Sequence, residues 1–214
     1  MLDTAASSRR ALTKGQRTRE RLLRAAVDRF GAQGYRATSV SQLSRDAGLT
    51  PAAAYAYFAD KDACWAAAVT ADLDDLAEQI TARAMSSSRP LYELMSLLVQ
   101  GLHDHPLARR VMVEGTPADL NLVLQHHLFA GTTSMVARGL RARQALGVLS
   151  ADADPDVLAR GIETVMFSMV LSTVRAGLDE EPERIASVLE VLRLAVGGAP
   201  NPEEIIGGAS PARA

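Results

Sequence analysis

Three groups of residues in the 214-residue chain have the types and spacing to do chemistry. The stretch TPAAAYAYFADK, Thr50 to Lys61, sets a hydroxyl, two phenols and an ammonium around three consecutive alanines. Hydroxyls, phenols and lysines donate hydrogen bonds to phosphate oxygens, and alanine methyls can lie against thymine methyls. The histidines come in two pairs, His103 with His105 and His126 with His127. Helical metal pairs need i, i+4 spacing and a third ligand, whereas adjacent side chains on a helix diverge by about 100°. No metal site is therefore expected. The one cysteine, Cys64, sits beside Trp65 with only Lys61 as a basic neighbour, which reads as a buried structural thiol. No serine–histidine–aspartate set, glycine-rich phosphate loop or spaced acid pair accompanies these groups, so neither catalysis nor a cofactor is expected.

Apolar residues make up 48% of the chain, ample for a packed core. A lone cysteine excludes an intrachain disulfide and points to the cytoplasm. The start, MLDTAASSRRALTKGQRTRER, has no apolar signal core, and no run is expected to reach the roughly 20 apolar residues of a membrane span. The chain reads as neither inserted nor exported. Its charge is divided unevenly: residues 1–62 hold 11 Lys/Arg against 6 Asp/Glu, leaving 12 against 19 for the rest. A basic segment on an acidic body suits contact with a polyanion.

The elements that must position these residues are helical. Strand-like alternation is missing and the 3.6-residue period recurs almost throughout, which predicts an all-α chain of nine helices. Leu22, Leu23, Ala26, Val27 and Phe30 form the stripe of a first helix, closed by Gly34. Thr38 is placed to cap a second, Ser39 to Ala47, and Gly48 breaks it. Thr50 and Pro51 are the N-cap and N1 proline of a third, running to about Tyr57. Asp60 caps a long fourth helix with Trp65, Val69, Leu73, Leu76 and Ile80 on one face. A fifth starts at Ser88–Pro90, a sixth at Asp104–Pro106, and a seventh of about seven turns runs from Pro117 to Leu140. Asp154–Pro155 and Glu181–Pro182 open an eighth, ending at Gly177, and a ninth, ending at Gly197.

Two short helices joined by AGLT behind a longer one make a helix-turn-helix, whose second helix can enter a major groove about 12 Å wide. Residues Thr18 to Val69 resemble the DNA-binding domain of the tetracycline-repressor (TetR) family of bacterial regulators. The resemblance rests on AAVDRFGAQGYRATSV, the LSRDAGLT turn, the aromatic pair before Phe58, and Lys61 opening the next helix. It implies that Thr38, Tyr55, Tyr57 and Lys61 contact phosphates, while Gln42, Thr50, Pro51, Ala52 and Ala53 face the groove of a palindromic operator. Tyr57 stands where the family often has histidine, and Ala52–Ala54 lacks the lysine or glycine often found there. Base recognition by side-chain hydrogen bonds is then expected to be thin, with Gln42, Arg45 and the arm from Arg9 to Arg19 carrying more of it, the arm by reaching a minor groove or phosphates.

The same resemblance divides the chain into a helix-turn-helix domain, 13–62, and a ligand-binding and dimerisation domain, 63–198, while the aperiodic Ala/Ser/Arg-rich start and the Gly/Pro-punctuated end predict mobile tails, 1–12 and 199–214. It implies a cavity among the fifth to eighth helices. Apolar candidates for its lining are Met95, Leu98, Leu124, Leu128, Met166, Phe167 and Val170, with His103, Asn121, Gln125 and His127 as polar anchors. Second apolar faces on the eighth helix (Gly161, Thr164, Ser168, Leu171) and the ninth (Val191, Leu194) predict a four-helix homodimer interface. The function expected is a repressor released from its operator by a small lipophilic effector. The competing readings are a ligand-independent regulator or activator, and a helical ligand-binding protein without operator recognition.

Overall fold

The computed structural model describes residues 13–86 and 90–176, together with positions 183, 186, 187, 190 and 191. Those residues form helices and no strand: α1 (Lys14–Ala37), α2 (Val40–Asp46), α3 (Pro51–Tyr55), α4 (Lys61–Met85), α5 (Pro90–Gly101), α6 (Pro106–Glu114), α7 (Pro117–Gln125), α8 (His127–Ala145) and α9 (Pro155–Ala176). They separate into two compact units, Met1–Ala71 and Asp72–Ala214, with the division inside α4.

In the first unit local chemistry sets each boundary. Thr13 and Gln16 cap α1 reciprocally, each side chain bonding the other's backbone N–H. Gly34 ends the regular helix at φ 78°, a conformation that favours glycine. The N-cap of α2 is Ser39 rather than Thr38, again with a reciprocal partner, Gln42. Thr38 is buried and its hydroxyl donates to the Gly34 carbonyl at 2.9 Å, which takes it out of the capping position. Gly48 (φ 65°) makes the turn, and Thr50 and Pro51 start α3. Leu22, Phe30 and Leu43 are almost wholly buried, each contributing about 1.5–3 kcal/mol by leaving water. Trp65 meets the Phe30 ring edge-on at 5.1 Å.

The second unit departs from its sequence pattern at one point. The predicted seventh helix is two helices, because His126 has extended backbone (φ −65°, ψ 143°) and caps α8. Neither glycine nor proline marks the break. His126 Nδ1 accepts from the Leu128 N–H at 3.3 Å, and its Nε2 lies 3.1 Å from Asp74 Oδ1 on α4, so a tertiary partner stabilises the kinked backbone. Helix α9, the predicted eighth, packs along α8 and against α5 and α6. Its cap Asp154 accepts from the N–H groups of Asp156 and Val157, which hold its carboxyl below the usual range. Gly101 lets α5 close on α4, since a Cβ there would fall 2.5 Å from Leu76 Cδ1.

Helix α9 is long and apolar enough to span a bilayer by length and composition alone, with mean hydropathy 1.4 over 18 residues, as the core helix of a soluble protein can also be. Here its apolar side, including Ala159, Ile162, Met166 and Val170, is core. The predicted ninth helix and both tails lie outside the described residues, apart from the five helical positions between 183 and 191.

Candidate nucleic-acid interface and buried cavity

Helix α3 presents Pro51, Ala52 and Tyr55 to solvent, with Ala53 half-buried and Ala54 packed inward at 2% exposure. Methyl groups on so short a helix keep its outer face narrow enough to approach base edges. The Thr50 Oγ accepts from the Ala53 N–H at 3.2 Å, and its hydroxyl proton stays available for an outside acceptor. Tyr55 is 54% exposed, while Tyr57 is half-buried and Phe58 buried, with the Arg19 guanidinium 5.2 Å over the Phe58 ring. Lys61 lies at the start of α4, its Nζ 4.0 Å over the Tyr35 ring. That contact holds the ammonium in place without neutralising it.

On α2, Gln42 Oε1 accepts from both the N–H and the hydroxyl of Ser39, at 2.8 and 2.9 Å, which leaves its amide nitrogen as the outward donor. Arg45 is exposed in the last turn. Thr38 does not join this set, being 2% exposed with its hydroxyl bonded inward; Ser39 is the exposed hydroxyl there. The exchange was invisible in sequence because two hydroxyl residues precede the helix, and only the Gln42 three residues after Ser39 distinguishes them. Behind α3, Arg29 joins α1 to the end of α2 through Asp46, with Nη2 to Oδ1 at 3.0 Å. The Arg29 hydrogen bond holds the Asp46 carboxyl below its ordinary value. Burial pushes the Cys64 thiol up to about 11, so it is no thiolate at neutral pH.

In the second unit Leu94, Leu98, Leu128, Phe129, Thr132, Glu163, Met166 and Val170 enclose a cavity of about 20 Å³, room for one water. Leu98, Leu128, Met166 and Val170 are thus brought together as the sequence grouped them. Phe167 is buried beside them, edge-on to Phe129 at 5.6 Å. The Met95 side chain lies outside the described residues. His103, Asn121, Leu124, Gln125 and His127 are exposed and line no part of this space. For Asn121, Leu124 and Gln125 the cause is the break at His126, which uncouples residues 117–125 from the stripe that α8 continues. Glu163 went unnoticed although it sits one turn before Met166 on the same face.

Two polar contacts hold α4 within this unit. Asp72 accepts from the Ala108 N–H at 2.7 Å and meets His105 Nδ1 at 2.9 Å, all three groups buried. Asp74 meets His126 and His127. Arg175 of α9 donates to the Met112 carbonyl of α6 at 2.9 Å.

Comparison with known proteins agrees with this geometry. Residues 22–68 match the family model for bacterial regulatory proteins of the tetR family. The HTH-type transcriptional regulator UidR of Escherichia coli is 25% identical over 199 residues, 87% of this chain and 94% of UidR. A TetR-family transcriptional regulator from Pectobacterium atrosepticum superposes with a TM-score of 0.68 at 22% identity, covering 90% of this chain and all of that one. The TetR-family repressor FadR of Thermus thermophilus, solved in complex with lauroyl-CoA, gives 0.57 at 20% identity, over 86% and 97% of the two chains. The helix-turn-helix geometry and these matches agree: residues 22–68 are a DNA-binding segment of the tetR-family type, and the chain along most of its length is similar to TetR-family transcriptional regulators and shares their all-α fold.

Proposed function

We propose that the chain is a homodimeric, cytoplasmic repressor that holds a palindromic operator through α2 and α3 and leaves it when a lipophilic molecule enters the second unit. The observation that carries the DNA reading is the exposed, methyl-bearing face of α3 flanked by unengaged donors on Thr50, Tyr55 and Gln42. Gln42, Thr50, Pro51, Ala52 and Ala53 face the major groove, while Tyr55, Tyr57 and Lys61 hold phosphates, with Arg45 beside them. The exposed α9 face of Gly161, Thr164, Val165 and Ser168 pairs with its copy and with the segment beyond Pro182.

The mainly apolar walls of the cavity support effector entry, since once parted they suit an acyl chain such as that of the lauroyl-CoA bound by the Thermus relative. A ligand that needs those walls apart favours the open conformer, and α4, continuous from Lys61 to Met85, carries the change toward the reading head. Selection of duplexes from random DNA by the full chain tests the first half; a palindrome is expected. Acyl-CoAs of increasing chain length, added to the complex, test the second. Recovery of no preferred duplex would instead favour a helical ligand-binding protein. The closed cavity supports a second reading, a regulator that ignores ligands, and a preferred duplex that no lipophile releases would select it.

A further inference from the structure

We infer that Asp74, His126 and His127 form a site for one divalent transition-metal ion of the zinc class, joining α4 to the junction of α7 and α8. On an unbroken helix the two histidine rings would diverge by about 100°. The extended backbone at His126 removes that divergence and brings the ring centroids to 4.2 Å. His126 Nε2 then lies 3.1 Å from Asp74 Oδ1 and His127 Nδ1 3.5 Å from the same oxygen. All three ligand atoms fall within 4.8 Å of one another. A tetrahedral ion with bonds of about 2.0–2.1 Å separates its ligand atoms by about 3.3 Å, so two of the three edges already have metal-site length. Rotation of His127, whose side chain is 69% exposed, closes the third.

Two imidazoles and one carboxylate are the donor set of zinc, cobalt or nickel rather than of calcium or magnesium, which take oxygen ligands. Asp74 is half exposed and leaves an open side for water to complete the coordination. Binding through Nε2 moves the ring proton to Nδ1 and gives up the long bond from the Leu128 N–H. The Leu128 amide therefore reports occupancy. None of the three ligands lines the apolar cavity, although Leu128 adjoins both, and failure of the site would leave the operator reading untouched.

The test uses the full chain, stripped with a chelator and titrated with Zn²⁺ by calorimetry and with Co²⁺ by visible absorption. One ion per chain is expected, with a higher Tm, a shifted Leu128 amide resonance and ligand-field bands of a four- or five-coordinate ion. His127→Gln, at an exposed position, and Asp74→Asn should each weaken zinc by at least about 100-fold, beyond the 10–100-fold loss typical of outer-shell partners. His103→Gln, another exposed histidine, should leave affinity unchanged. No uptake by the natural chain, or equal uptake by His127→Gln, would overturn the site and leave Asp74–His126 as a hydrogen-bonded pair alone.

Discussion

The unit that ends at Ala71 carries its fold-defining polar groups at the surface, one at each helix start: Thr13, Ser39, Thr50 and Asp60. The unit that follows carries Asp72, His105 and His126 inside, where they join elements 33 and 52 residues apart. Caps are local and modest, and none depends on distant packing. Buried polar links depend on every partner being present, since one left unpaired in a low dielectric is costly. The polar groups cited in the first unit therefore act on their own neighbourhoods, whereas those in the second tie together elements distant in sequence.

The largest effect expected from that contrast is in the second unit. Asp72→Ala leaves His105 Nδ1 and the Ala108 N–H without their carboxylate, in a place where His105 Nε2 already has no hydrogen-bond partner. A loss of about 3–5 kcal/mol should follow, as for breaking other buried pairs. Urea unfolding followed by far-UV circular dichroism measures it. The single tryptophan, Trp65, belongs to the first unit, and its fluorescence transition should move less. Equal movement of both would mean that the contrast between the units does not extend to their stability.

A smaller loss is expected from the caps. Thr50→Ala removes the acceptor for the Ala53 N–H and should cost about 1 kcal/mol, read from the Trp65 transition. Thr50→Asn, which restores an acceptor, should recover most of it. A loss as large as that of Asp72→Ala would make α3 a cooperative part of a core rather than a capped surface helix.

The same contrast explains what could be read from sequence. Gly34, Gly48, Thr50–Pro51 and Asp60 act on neighbouring residues, so their spacing marks the helix-turn-helix directly. Even there the sequence does not tell Thr38 from Ser39 as the cap, because a hydroxyl's burial is decided by packing rather than by type. The break at His126 left no local mark: apolar residues continue at helical spacing on both sides, and the stabilising partner is on α4. The error then spread to the site. It placed Leu124 and Gln125 in a cavity they do not line, left out Glu163, and set the two histidines on diverging faces when they converge on Asp74.

On DNA the surface chemistry of the first unit gives graded effects. Lys61→Ala should reduce the slope of log affinity against log salt by about 0.9, because one phosphate-neutralising charge is removed. Tyr55→Phe should weaken operator and random duplex alike, with the slope hardly changed, since a phenol carries no charge at neutral pH. Filter binding across a salt series measures both. Loss of operator preference at constant random-duplex affinity would mean that Tyr55 reads bases and does more than position the protein.

The smallest effect concerns Arg29 and Asp46, an ion pair between α1 and α2. Asp46 ends α2, where a negative charge opposes the helix dipole, and Arg29 offsets that by gripping both carboxylate oxygens. The hydrogen bond from Arg29 lowers the Asp46 pKa from 3.8, with burial opposing it and the charges of Arg29 and Arg45 assisting. A lowered carboxylate pKa stabilises the fold at all pH values above about 3.8 and loses that contribution as pH falls through the folded-state value. Because other carboxylates titrate in the same window, the informative quantity is the coupling between Arg29→Gln and Asp46→Asn in a double-mutant cycle, read from the Trp65 transition. The coupling should be favourable at neutral pH and vanish once Asp46 is protonated, and its size should be below that of the Thr50 cap because both side chains are open to solvent. A coupling that survives acidification would trace to packing of the guanidinium rather than to its charge. One that exceeds the Thr50→Ala effect would mean that the reading head, like the second unit, relies on a long-range polar link.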